Sequence, residues 1–133
     1  MKVSRLGKIM ASSVAFFAAV TAVAQDDPYA NVSIQTVPVA GNVSMLIGAG
    51  GNIGVSAGAD GILIIDDQFA PLAGRIKDAI EALGARVPKY LLNTHFHGDH
   101  TGGNADFGGE SLIVAHENVR SRMAAGDAPA VAL

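Results

Sequence analysis

Lys89-Tyr90-Leu91-Leu92-Asn93-Thr94-His95-Phe96-His97-Gly98-Asp99-His100 is the stretch on which the reading of this chain turns. Its first six residues read as a strand. They run without a break into three of the chain's four histidines and an aspartate. Strand residues two apart point to the same side, so a strand that continues into the motif presents His95 and His97 together. Gly98 then allows a sharp turn that brings Asp99 and His100 round beside them. Neutral imidazole and carboxylate are donors suited to zinc, and also to iron or manganese. An open position at such a site holds a water and lowers its pKa, so that hydroxide is available near neutral pH. A polar loop with accidental histidines is the weaker account, because each buried imidazole would then need its own hydrogen-bond partner. Phe96 reads as packing that stiffens the loop.

Upstream, Ile62-Leu63-Ile64-Ile65 is a continuous apolar run, as in a strand buried on both faces, and it ends at Asp66-Asp67. A helix is expected over 71–83: Pro71 suits its first turn and Gly84 its end. Leu72, Ile76, Ala79, Ile80 and Leu83 share one face of it, leaving Arg75, Lys77, Asp78 and Glu81 outward. Residues 33–40 and 43–47 are β-prone and separated by Gly41-Asn42, a two-residue turn signal; 52–57 supplies a third short strand. Gly48, Gly50 and Gly54 invite a nucleotide-binding reading, but the third glycine of that fingerprint would fall at Ile53 and no helix follows, so a hairpin turn is preferred. Downstream, Gly102–Asn104 opens a short helix, 112–115 is a further strand and 117–125 a further helix. The order is antiparallel strands followed by β-α-β-α-β-α, an α/β (α+β) layered fold with sites at the carboxyl ends of its strands.

At His95-Phe96-His97-Gly98-Asp99-His100 the chain resembles the metallo-β-lactamase superfamily of metal-dependent hydrolases. The continuation Thr101-Gly102-Gly103-Asn104, the strand Gly61–Ile65 ending in Asp66, and Leu112-Ile113-Val114-Ala115-His116 extend the resemblance over about residues 32–122. It implies an αββα sandwich with metals in a shallow groove along one edge. By that resemblance His95 and His97 ligate a first zinc, and Asp99 and His100 a second. Asp99 also orients the water or hydroxide that attacks a carbonyl or related ester, amide or lactam centre. β-Lactams, lactones, thioesters and phosphoesters are all substrates within the family, so fold alone does not select among them. Asp66 either supports the metal loop by hydrogen bonding or is a turn aspartate, whereas Asp67 reads as solvated. Asn104 either faces the groove or caps a helix; Thr94 and Thr101 read as hydrogen-bonded to loop backbone.

The family's later ligands, a third histidine, a bridging aspartate and a last histidine, have no counterpart here. His116 comes too early and reads as a helix-start or surface residue, and Asp106 and Asp127 as solvated loop residues. The expectation is therefore the N-terminal half of the sandwich, residues 25–133, apparently truncated. One sheet face is then left open, exposing Ile64, Leu91, Leu92 and Ile113 or their neighbours. An exported metal-binding protein without catalysis and an inactive product are the alternatives.

The outer features agree with a single small exported domain. A length of 133 residues is one domain's worth. Lys2, Arg5 and Lys8 precede an apolar run and then Ala22-Val23-Ala24, the pattern of a cleaved export signal at residues 1–24. Its removal takes those three basic residues and no acidic one, moving the net charge from −3 to −6. The expected location is periplasmic or secreted, with no membrane attachment after cleavage. The absence of cysteine excludes disulfide scaffolds, thiolate metal sites and thiol nucleophiles. With 9 Lys and Arg against 12 Asp and Glu and few aromatics, nucleic acid is not an expected partner; a small-molecule substrate is.

Overall fold

The computed structural model describes residues 27–126. The expected export signal and Asp127 lie outside them. Six strands form one sheet in the order β1-β2-β3-β4-β5-β6. β1 (Gln35–Ala40), β2 (Val43–Ile47), β3 (Ile53–Gly58) and β4 (Gly61–Ile65) follow one another antiparallel, as short turns permit. Gly41 takes φ +54° in the first hairpin, the left-handed conformation that such a turn demands.

β5 (Tyr90–Asn93) and β6 (Leu112–Ala115) join parallel, and parallel neighbours require a crossover. The first crossover is a 3-10 turn, Ala70–Leu72, holding Pro71, followed by helix α1 (Ala73–Glu81). The expected helix over 71–83 is thus shorter and starts in tighter winding. The second crossover contains α2 (Gly98–Thr101) and α3 (Asn104–Phe107), and α4 (Glu117–Ala124) follows β6.

Leu72, Ile76 and Ile80 are fully buried against Leu46, Ile53, Val55, Ile64 and Leu91 of the sheet, with Phe107 completing the core. At roughly 1.5–3 kcal/mol per buried large side chain, this helix-on-sheet contact is the main source of stability. Arg75 does not point outward as expected. Its guanidinium donates to the carbonyls of Tyr29 (2.5 Å) and Val32 (2.8 Å), tying the segment before β1 to α1.

Among the described residues one face of the sheet is open, and it exposes chiefly the neighbours of the residues named from the sequence. Ile64 and Leu91 are fully buried beneath α1, whereas Ile65, Tyr90, Leu112 and Val114 are exposed at 37, 37, 61 and 46%. Strand side chains alternate between faces, so a one-residue error in phase exchanges the buried set for the exposed one. Leu92 and Ile113 are half-buried. Among the described residues, no helix is long and apolar enough to cross a membrane.

Candidate metal centre

β5 ends at Asn93, so the strand does not carry His95 and His97 as the sequence reading expected. The cause is local. The Thr94 N–H donates to Asp66 Oδ1 (2.8 Å) instead of continuing the ladder, and the chain bends through residues 94–96. His97 then takes an extended conformation as N-cap of α2, and that single helical turn, rather than a sharp glycine turn, carries Asp99 and His100. The Thr101 hydroxyl closes the turn by donating to the His97 carbonyl (3.1 Å). The three imidazoles meet: His95 lies 4.6 Å from His97 and 4.0 Å from His100 between ring centroids. Phe96 stands edge-on to His97 at 4.8 Å with the Arg122 guanidinium over its ring at 4.7 Å, a packing role.

Asp66 organises the protons of this cluster. It is 4% exposed, and its Oδ2 lies 2.7 Å from His100 Nδ1 and 2.8 Å from the Thr94 hydroxyl. The carboxylate only accepts, so the network assigns the His100 Nδ1 proton to it and leaves Nε2 with a lone pair. Thr94 has one hydroxyl proton, which goes to Asp66. The contact of that hydroxyl with His95 Nδ1 (3.0 Å) is then donated by the imidazole, again leaving Nε2 free. Burial, and then the nearby His100 and His97 rings, lower the His95 pKa and favour the neutral, ligand-competent form. Thr94 therefore bonds to side chains, not to loop backbone as expected.

His100 Nε2 faces Asp99 Oδ2 at 3.3 Å. With the Nδ1 proton assigned, two acceptors confront each other, an arrangement relieved by a cation or by a second imidazole proton. A tetrahedral site with metal–ligand bonds of about 2.0–2.1 Å has donor–donor edges of about 3.3 Å, so the pair has the spacing of one such edge. The donor chemistry fits a divalent metal of the zinc class. Among the described residues, no group of three or more His, Asp or Glu side chains is set out to hold an ion. The four residues are a donor cluster and not a closed cage.

Asp67 and Gln68 were not foreseen as part of this region. Asp67 is fully buried rather than solvated. Its Oδ1 accepts from the Gly103 N–H (2.9 Å), its own N–H donates to the His100 carbonyl (3.1 Å), and Oδ2 has no partner. Burial raises its pKa from 3.8 to about 7, with Asp66 and Asp106 adding repulsion and the Gly103 hydrogen bond opposing. The unfolded chain loses this proton near 3.8 and the folded chain near 7, so stability is highest below the lower value. It falls as pH rises between the two.

Asp67→Asn keeps the acceptor for Gly103 but not the charge. Avoiding a three-unit shift is worth about 4 kcal/mol, and an unpaired buried amide returns about 1–3, so a net gain of roughly 1–3 kcal/mol is expected at pH 8. Urea midpoints of both chains from pH 4 to 8 should draw together as pH falls and then cross, the parent being the more stable at the acid end. A difference constant across that range contradicts the assignment.

The glycines of the β2–β3 connection form a hairpin turn, as expected, and they also reach the cluster. A Cβ on Gly51 would lie 2.5 Å from His100 Cε1, and one on Gly50 would lie 2.6 Å from the Asp99 Cβ. Only glycine admits so close a backbone approach. His116 is the N-cap of α4, accepting from the Asn118 N–H (3.1 Å). Asn104 neither caps nor faces the cluster, but donates to Asn93 Oδ1 (2.9 Å). Asp106 is exposed.

Comparison with known proteins bears on the family and the fold. The family model of the metallo-beta-lactamase superfamily matches residues 39–130. A subclass B3 metallo-beta-lactamase of Bradyrhizobium japonicum is similar in structure at 29% identity and a TM-score of 0.62, over 71% of this chain and 38% of that one. A metallo-beta-lactamase of Cronobacter sakazakii is similar at 26% identity and a TM-score of 0.64, over 71 and 38%. A class B3 di-zinc metallo-beta-lactamase from an Alaskan soil metagenome is similar at 25% identity and a TM-score of 0.64, over 79 and 41%. The chain thus spans about two fifths of the length of these structures. No curated protein sequence matches significantly. With a family model over more than half its length, the chain belongs to the metallo-beta-lactamase superfamily.

Proposed function

We propose that these residues serve a zinc-dependent hydrolase acting on a small molecule with a carbonyl or related ester, amide or lactam centre. His95, His97, Asp99 and His100 would hold the metal, two ions in a complete domain, with iron or manganese as alternatives. The observation that carries the reading is the Asp66-organised cluster, in which the Nδ1 contacts of His95 and His100 leave both Nε2 atoms unprotonated and His100 Nε2 faces Asp99 at 3.3 Å. When bound, such an ion polarises a carbonyl and lowers the pKa of a water to about 7. Asp66 and Thr94 keep the imidazoles in their ligating tautomers. Asp99, whose side chain is 24% exposed, is the carboxylate able to accept a proton from an attacking water. A β-lactam is one candidate substrate, as in the similar solved enzymes. Export to the periplasm or outside the cell belongs to the same proposal.

The test is hydrolysis of a β-lactam, lactone and thioester panel with zinc, with chelator, and after zinc is restored. Turnover by this chain is expected to be low, because among the described residues no three donors are set out to hold one ion. His97→Ala and Asp99→Ala are each expected to abolish it. Activity retained by both variants removes the cluster from the mechanism. The incomplete donor set also favours a second reading, a metal-binding protein without catalysis, in which zinc binds but no member of the panel is cleaved.

A further inference from the structure

The geometry points to Gln68 as a positioning residue, one that fixes the Gly48–Gly51 turn against Asp99 and His100. This inference rests on the proposed reading of those two side chains as metal donors. Gln68 is fully buried, and its φ of +57° is a left-handed conformation uncommon outside glycine. From that conformation one residue reaches two segments. Its side-chain Oε1 accepts from the Ala49 N–H (3.2 Å) and its Nε2 donates to the Gly51 carbonyl (2.5 Å), so the amide spans the turn. Its backbone carbonyl accepts from the Gly103 N–H (3.2 Å), just beyond the donor-bearing helical turn.

The turn in its place walls the two donors: added Cβ atoms on Gly50 and Gly51 would strike the Asp99 Cβ and the His100 ring. Asp66 fixes the other side of His100 through Nδ1. The ring is therefore held between a carboxylate and a backbone wall, and Gln68 sets where the wall stands. Side chains that orient ligands in this way act through hydrogen bonds rather than by touching the metal.

The test uses the full chain and Gln68→Met, which keeps length and removes both side-chain hydrogen bonds. Imidazole nuclear magnetic resonance of the metal-free chain reads the ring directly. The His100 resonances are expected to move while those of His116, at the far N-cap of α4, stay. Zinc alone, in competition with a chromophoric chelator, is expected to bind roughly 10- to 100-fold more weakly. Gly48→Ala perturbs the same contact from the turn side, since its Cβ would lie 2.5 Å from Gln68 Oε1, and is expected to move His100 likewise. Unmoved His100 resonances with unchanged zinc affinity in a folded Gln68→Met overturn the inference. So does a Gln68→Met that loses its fold beside a folded Gly48→Ala with unmoved His100. Should the parent chain bind zinc no better than His97→Ala, the metal reading fails, and the metal-free resonances still decide the role of Gln68.

Discussion

Asp66→Ala is expected to cost about 3–5 kcal/mol of stability and to weaken zinc binding roughly 10- to 100-fold. The carboxylate accepts from the Thr94 N–H, the Thr94 hydroxyl and His100 Nδ1, all within 2.8 Å at their shorter contacts. Truncation leaves these donors without their partner, at about 1–3 kcal/mol for each that stays buried. Alanine must also adopt the Asp66 φ of +65°, a left-handed conformation costing a further 1–2 kcal/mol or so. Loss of zinc affinity has a separate cause: with Asp66 gone, neither His95 nor His100 is held in the tautomer that leaves Nε2 free. Asp66→Asn separates the two effects, because asparagine tolerates positive φ but lacks the charge that fixes both protons. It should recover much of the stability and little of the zinc affinity. Urea unfolding and chelator competition on the three chains check this, and parent-like values for Asp66→Ala on both would contradict it.

Gly102→Ala is expected to destabilise by about 3 kcal/mol, a large effect for one methyl group. The added Cβ would lie 2.6 Å from the Gly98 carbonyl oxygen, 2.7 Å from that of Gln68 and 3.1 Å from the Phe69 Cα. All three are backbone atoms, so no rotamer change relieves the contact and either α2 or the Asp66–Phe69 segment must move. That shift displaces Asp99 and His100 and should lower zinc affinity as well. Gly109→Ala is the control, since nothing lies within 4 Å of its Cβ position; it should change stability by less than about 0.5 kcal/mol. Thermal unfolding of the two variants side by side measures the contrast, and equal midpoints would show that the loop yields where this packing says it cannot.

Local pattern made much of this fold legible. Val43–Ile47 forms as the β-prone run bounded by Gly41-Asn42 indicates, and Leu72, Ile76 and Ile80 are the buried face that their spacing indicates. His95, His97, Asp99 and His100 were candidates from sequence alone, and the fold brings the three imidazoles into ring contact. What was not legible depends on contacts between distant segments. The end of β5 before His95 is imposed by Asp66, 28 residues away from Thr94 in sequence. The left-handed conformations of Asp66 and Gln68 send consecutive side chains in directions that no strand or helix period encodes. Asp67 looked solvated because an aspartate pair after a strand usually is, yet the Gly103 backbone packs against it and donates to it. The pairing of Asp66 with Asp67 at the end of an apolar strand was the one available signal.

Zinc binding by the 133-residue chain, measured by chelator competition beside His97→Ala and Asp99→Ala, tests the central claim most directly. Saturable binding by the parent, lost in both variants while their circular dichroism stays parent-like, is the predicted result. The same zinc affinity in all three chains would contradict the assignment of these residues as metal donors.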